Sequence, residues 1–150
     1  MLRPMQISFA LFADAANLSQ EGKLNVLGVF GALQVASLPA VHPRAHLVVG
    51  LRGGHDDVGA HQVSLRWSNP AGKELWSTAG NLDIATPPGE VAELDLPLIA
   101  SIDLPIDQAG TYTMRVAVDD DVSADVRLVV RSAMGTRPPS GMTPMTGLVS

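Results

Sequence analysis

The chain has 150 residues, enough for one domain, and its 46% hydrophobic content supplies a core that must be mainly aliphatic because aromatics are only 4%. A net charge of −5, with ten Lys and Arg scattered and no basic run, argues against a nucleic-acid binder, which needs a basic face to displace counterions. The absence of cysteine removes disulfides, thiolate metal sites and a cysteine nucleophile, and no apolar stretch reaches the roughly 20 residues that span a bilayer.

The chain opens with MLRPMQISFALFADAA. Arg3, a short apolar run and small residues at Ala13 and Ala15 give it a faint look of a secretory leader, but Gln6 and Ser8 interrupt the run. Met5, Ile7, Phe9, Leu11 and Ala13 alternate with Gln6, Ser8, Ala10, Phe12 and Asp14, and a period of two predicts a strand. A single helical turn is expected near 14–18, and a polar loop leads into a second apolar run over 23–35. Gly28 and Gly31 in that run mark a bulge or a close backbone approach.

The loop contains Gly22-Lys23, which invites comparison with a phosphate-binding loop. That loop needs Gly five residues before the Gly-Lys pair, Ser or Thr after it, and a helix beyond. Here Asn17 and Leu24 hold those places and a strand pattern follows, so the pair is read as a turn.

Pro39 and Pro43 bracket a crossover loop, followed by a strand over 46–51 and a surface loop over 53–57. The stretch 62–68 alternates best, with Val63, Leu65 and Trp67 on one side. Asn69-Pro70-Ala71-Gly72 is a turn, with short strands expected at 73–76 and 81–86. A strand over 91–102 carries Pro97, which places it at a sheet edge. Tyr112, Met114, Val116 and Val118 share one face of the next strand, and Val126, Leu128 and Val130 share one face of the last. Tyr112, the one tyrosine, follows a Gly-containing turn as in the tyrosine corner of immunoglobulin-like sandwiches.

About eight short strands at regular spacing predict an all-β protein, an antiparallel β-sandwich of immunoglobulin-like or C2-like type. The expected division is a sandwich over 1–131 and a tail over 132–150 rich in Pro, Gly, Ser, Thr and Met. In the tail, Pro138, Pro139, Met142, Pro144, Met145 and Leu148 are the candidate anchors for an extended contact with a partner.

Candidate chemistry is sparse. His55, Asp56, Asp57 and His61 lie in and beside one loop, and Asp119, Asp120, Asp121 and Asp125 surround one hairpin tip. Both have the residue types of a cation site, calcium for the acidic tip, and both read more simply as solvated turns. His42 and His46 are separated by Pro43, which argues against a shared helical face. No nucleophile elbow, zinc-protease helix or dinucleotide fingerprint occurs, so no catalytic residue and no cofactor is assigned.

The stretch FADAANLSQEGKLNVLGVF (12–30), with Pro39 and His42-Pro43 and the segment LPIDQAGTYTMRVAVD (104–119), resembles an uncharacterised bacterial domain-of-unknown-function family over roughly residues 5–131. The resemblance implies a compact β-sandwich with no established activity. Taken with a mean hydropathy of +0.20, it leads to the expectation of a non-enzymatic, cytoplasmic interaction or accessory subunit, with a protein partner or a homo-oligomer. The alternative expectation is a small-ligand or calcium module using the loops at 53–61 and 119–125.

Overall fold

A computed structural model describes residues 5–86, 89 and 93–132. The tail anchors Pro138, Pro139, Met142, Pro144, Met145 and Leu148, and the tail as a unit, lie outside the described residues. Nine strands are described: β1 (Gln6–Leu18), β2 (Leu24–Phe30), β3 (Ala32–Val35), β4 (Ala40–Gly53), β5 (Gly59–Ser68), β6 (Glu74–Ile84), β7 (Leu94–Ile106), β8 (Gly110–Val118) and β9 (Val122–Ser132). They form a four-stranded sheet in the order β2-β1-β4-β7 and a five-stranded sheet in the order β3-β9-β8-β5-β6. The fold is a β-sandwich, as the alternating pattern predicts. All pairings are antiparallel except β3 with β9, so the second sheet is mixed. Among the described residues no helix is long and apolar enough to cross a membrane.

The core lies between the sheets. Val116, Val118, Met114 and Tyr112 from β8 and Leu128 and Val130 from β9 meet Leu47, Val49 and Leu51 from β4 and Ile102, Leu104 and Ile106 from β7. Trp67 is fully buried, stacked on Tyr112 with centroids 5.0 Å apart and edge-on to Phe12 at 5.9 Å. Its indole N–H donates to the Pro105 carbonyl at 2.8 Å, which satisfies the one polar atom of that ring.

The tyrosine corner is present. The Tyr112 hydroxyl accepts from the N–H groups of Asp107 and Gln108, both at 3.0 Å, and lies 2.7 Å from the Gln108 carbonyl and 2.8 Å from Asp107 Oδ1. Asp107 also accepts from the buried Asn69 amide at 2.8 Å, and Asn69 Oδ1 in turn accepts from the N–H groups of Ala71 and Lys73. One polar knot therefore ties the β5–β6 turn to the β7–β8 turn.

Several local expectations change. The single-period reading of β1 fails because a bulge between Ile7 and Phe9 shifts the register against β4. Met5 and Ile7 face the core, and after the bulge Ala10 and Phe12 do, while Phe9 turns outward. The helical turn expected near 14–18 is strand, because β2 pairs with β1 there through Leu18↔Leu24. A 3₁₀ turn occurs instead at His55–Asp57. The run 23–35 divides at Gly31 into two strands that belong to different sheets. Pro43 lies within β4 at a bulge, not in a crossover loop. The two short strands expected at 73–86 are one continuous β6.

The β1–β2 hairpin has an unexpected course. Gly22 and Leu24 at its tip line the same cavity, about 370 Å³, as Ser8, Phe9, Gly50 and Pro97. A straight strand rising about 3.3 Å per residue would carry Leu18 about 33 Å from Ser8. The hairpin therefore curls back over the outer face of the four-stranded sheet. Pairing of β1 with β4 stops at Ala13↔His46, and Gly28 opposite the next residue has φ +70. On that outer face Ala13 and Val48 are fully buried, although neither belongs to the cluster between the sheets.

Candidate functional site

The two groups of candidate cation ligands are used structurally. His55–Asp57 forms the 3₁₀ turn, and Asp57 Oδ2 accepts from the Gly54 N–H at 2.7 Å. His61 joins this loop to the acidic hairpin tip: one ring nitrogen meets the Asp57 carbonyl and the other meets Asp119 Oδ2, each at 2.5 Å. Both partners only accept, so the imidazole serves both as a cation. The bond to Asp119 first, then the Asp57 carbonyl, raises the His61 pKa, and the same bond to His61 lowers that of Asp119. Asp119 also accepts from the Gln62 N–H at 2.8 Å. Asp119 and Asp120 take left-handed φ values of 56° and 55°, a conformation that Asp tolerates well. Asp125 faces Arg115 across the β8–β9 pair at 3.4 Å, which leaves Asp120 and Asp121 at the tip. Among the described residues no three His, Asp or Glu side chains gather as a metal site.

Gly22-Lys23 is a turn with Gly22 at φ +81, closed by the Gly22 N–H on the Ser19 carbonyl. Across the hairpin the Asn25 amide donates to Asn17 Oδ1 at 3.0 Å.

Two features remain that the sequence did not single out. The first is the edge strand β6. Its outer side pairs with no described strand. Residues 77–81 of this strand, Ser-Thr-Ala-Gly-Asn, are all exposed. Of the other edge strands, β7 carries Pro97 and Pro105, β3 has four residues, and β2 carries Gly28 at φ +70. In β6 the only charges are Glu74, which pairs with Arg66 at 3.0 Å, and Asp83, both near the strand ends.

The second feature is a cleft of about 350 Å³ where β1 leaves β4, lined by Asp14, His42, Pro43, Arg44 and His46. The bulge between His42 and Ala45 creates it. The bulge also explains why two histidines four apart in a strand, which the sequence brings together only loosely, share one cleft. Arg44 has φ 52, a left-handed conformation that costs a side-chain-bearing residue about 1–2 kcal/mol. Its N–H is held by Asp103 Oδ1 at 2.9 Å and its carbonyl accepts from His46 Nδ1 at 3.1 Å. The His42 ring packs edge-on against Phe30, with centroids 5.6 Å apart. The one hint in the sequence is Pro43, since proline inside a sheet sits at edges or bulges.

No curated protein matches the chain. Residues 8–131 match one described family, and this span takes in every strand from the β1 bulge through β9. By that match the chain belongs to the Family of unknown function (DUF6941).

Proposed function

We propose that this protein is a non-enzymatic interaction module, an accessory subunit of a larger cytoplasmic assembly, and that a partner protein adds an extended segment to the free edge of β6. The observation that carries this reading is the bare centre of that edge. Along the eleven residues of β6, the backbone donors and acceptors of alternate residues point away from β5 and pair with no described strand, with no proline and no charge between Glu74 and Asp83. Natural sheets ordinarily protect such an edge with Lys, Pro or a covering element, because it templates pairing with another chain. Main-chain hydrogen bonds would supply affinity, and the groove of about 270 Å³ along Arg66, Glu74 and Thr78 would receive alternate side chains. The tail beyond Ser132 supplies a second contact in this reading, as its Pro and Met anchors suggest.

Proline substitution tests it. Successive N–H groups along a strand point to opposite neighbours, so one of Thr78→Pro and Ala79→Pro removes an outward donor and the other damages the β5 ladder. The variant that keeps the wild-type melting temperature should lose a partner that the wild-type chain captures in stoichiometric amount from its host. Hydrogen exchange of the complex should show new protection at 77–81. Capture unaffected by both substitutions, or a chain that is monomeric and alone, overturns the reading. Self-pairing of two copies through β6 would appear as a dimer abolished by the same variant.

A further inference from the structure

The geometry points to a second site, independent of the β6 edge: the cleft at the β4 bulge binds a small oxyanion that also carries a hydroxyl group, a hydroxy acid or a sugar phosphate. The argument starts from Arg44. Its backbone is fixed on both sides, by Asp103 on the N–H and by the His46 ring on the carbonyl. Its left-handed φ of 52° is a strained state for arginine that a chain under no functional demand would relieve with Gly or Asn. Bulges of this kind re-aim side chains next to binding sites. Here the bulge turns the Arg44 side chain into a cleft, and among the described residues no carboxylate pairs with its guanidinium, whereas Arg52, Arg66 and Arg115 each have one. A guanidinium fork with no carboxylate partner among the described residues matches the geometry of a carboxylate or phosphate.

The other walls specify the rest of the ligand. A carbonyl only accepts, so His46 Nδ1 donates to the Arg44 carbonyl, and in the neutral ring Nε2 is then an acceptor. The Asp14 carboxylate is a second acceptor in the same cleft. An anionic group placed on Arg44 thus has acceptors nearby that suit hydroxyl donors and would repel a second anion. Pro43 and the His42 ring, which Phe30 backs edge-on, give the cleft apolar surface for the carbon skeleton. A volume of about 350 Å³ is at the small end of ligand sites, the right scale for a molecule of this class.

The test is a titration of the full chain, followed by two-dimensional amide and imidazole NMR spectra, with four probes: inorganic phosphate, acetate, glycerol 3-phosphate and lactate. Saturable shifts confined to residues of the cleft are expected, with the hydroxylated member of each pair binding more tightly. Comparison of the phosphate pair with the carboxylate pair identifies the source of the oxyanion. Arg44→Asn accepts the same backbone conformation and removes the guanidinium, so it should fold normally and bind at least about tenfold more weakly. Arg44→Lys should be intermediate, because it keeps the charge and loses the fork. Absence of saturable shifts with all four probes overturns the proposal, as does equal affinity of Arg44→Asn and the wild-type chain. Shifts of equal size on Lys23 or Lys73 and on the cleft mean nonspecific ion binding, and also overturn it.

Discussion

The carboxylate of Asp14 occupies the space that a side chain at Gly28 would need. A Cβ built on Gly28 would stand 2.9 Å from Asp14 Cγ, and Gly28 is at φ +70. Their neighbours pair directly, Ala13↔Val29 and Ala15↔Leu27, so the two residues face each other where the β1–β2 hairpin leaves the sheet and turns back. The same Asp14 forms one wall of the cleft at the β4 bulge. The hinge of the hairpin and the candidate ligand site are thus built from one residue.

Gly28→Ala should be costly for two separable reasons. The left-handed backbone and the collision with Asp14 together predict a loss of about 2–4 kcal/mol in urea denaturation. In an Asp14→Ala background the clash with the carboxyl group disappears, while a Cβ–Cβ approach of 3.0 Å and the backbone cost remain. The two changes should therefore be non-additive by more than about 0.5 kcal/mol in a double-mutant cycle. Strict additivity would mean that the residues do not touch.

Removal of the corner hydroxyl isolates what the Tyr112 knot contributes. Tyr112→Phe leaves the N–H groups of Asp107 and Gln108 without their shared acceptor and should destabilise the domain by about 1–3 kcal/mol. Asn69→Ala strips the acceptor from Ala71 and Lys73 and should cost a similar amount. Because both side chains meet at Asp107, the double variant should lose less than the sum. Denaturant midpoints at constant slope give the comparison.

Stability from the His61–Asp119 pair depends on pH in both directions. The folded pKa of His61 is raised above 6.5, so its contribution is complete below about pH 6.5 and fades as pH rises through the folded value. The folded pKa of Asp119 is lowered below 3.8, so its contribution is present above about pH 3.8 and fades as acid reaches the folded value. Asp119→Asn keeps a residue that accepts the left-handed turn and removes the charge. The wild-type midpoint should fall relative to this variant as pH rises from about 6.5 through the raised folded pKa of His61. Parallel pH profiles would show that the pair is not coupled to folding.

Termination of the chain at Ser132 separates the sandwich from the tail. The core and the Tyr112–Asp107–Asn69 knot lie within the described residues before that point, so the melting temperature should stay within a few degrees, about the shift expected for 1 kcal/mol or less. Under the proposed function, capture of the partner should weaken while the β6 edge remains competent. An unchanged yield of partner would remove the tail from the interface and leave the edge as the sole contact.

The sequence by itself determined the class of fold. Strict alternation at 62–68, Tyr112 to Val118 and Val126 to Val130 has one structural solution, a strand with one buried face, and those side chains are all directed to the core. Tyr112 after a glycine turn announced its corner because the hydroxyl needs only partners four and five residues upstream. Features decided by contacts between distant segments were not legible. The β1 bulge exchanges the two faces of a strand whose composition is apolar on both, so Phe9 and Phe12 could not be told apart from the pattern alone. The split at Gly31 depends on β3 finding β9 almost a hundred residues later, a non-local pairing that no window of sequence contains. The cleft joins Asp14, His42, Arg44 and His46 through a register shift against β7, and β6 has a free edge because the strand order places it last in its sheet. Local periodicity records which face of a strand meets the core. Which strands become neighbours, and which edges are left open, is fixed only when the whole chain has packed.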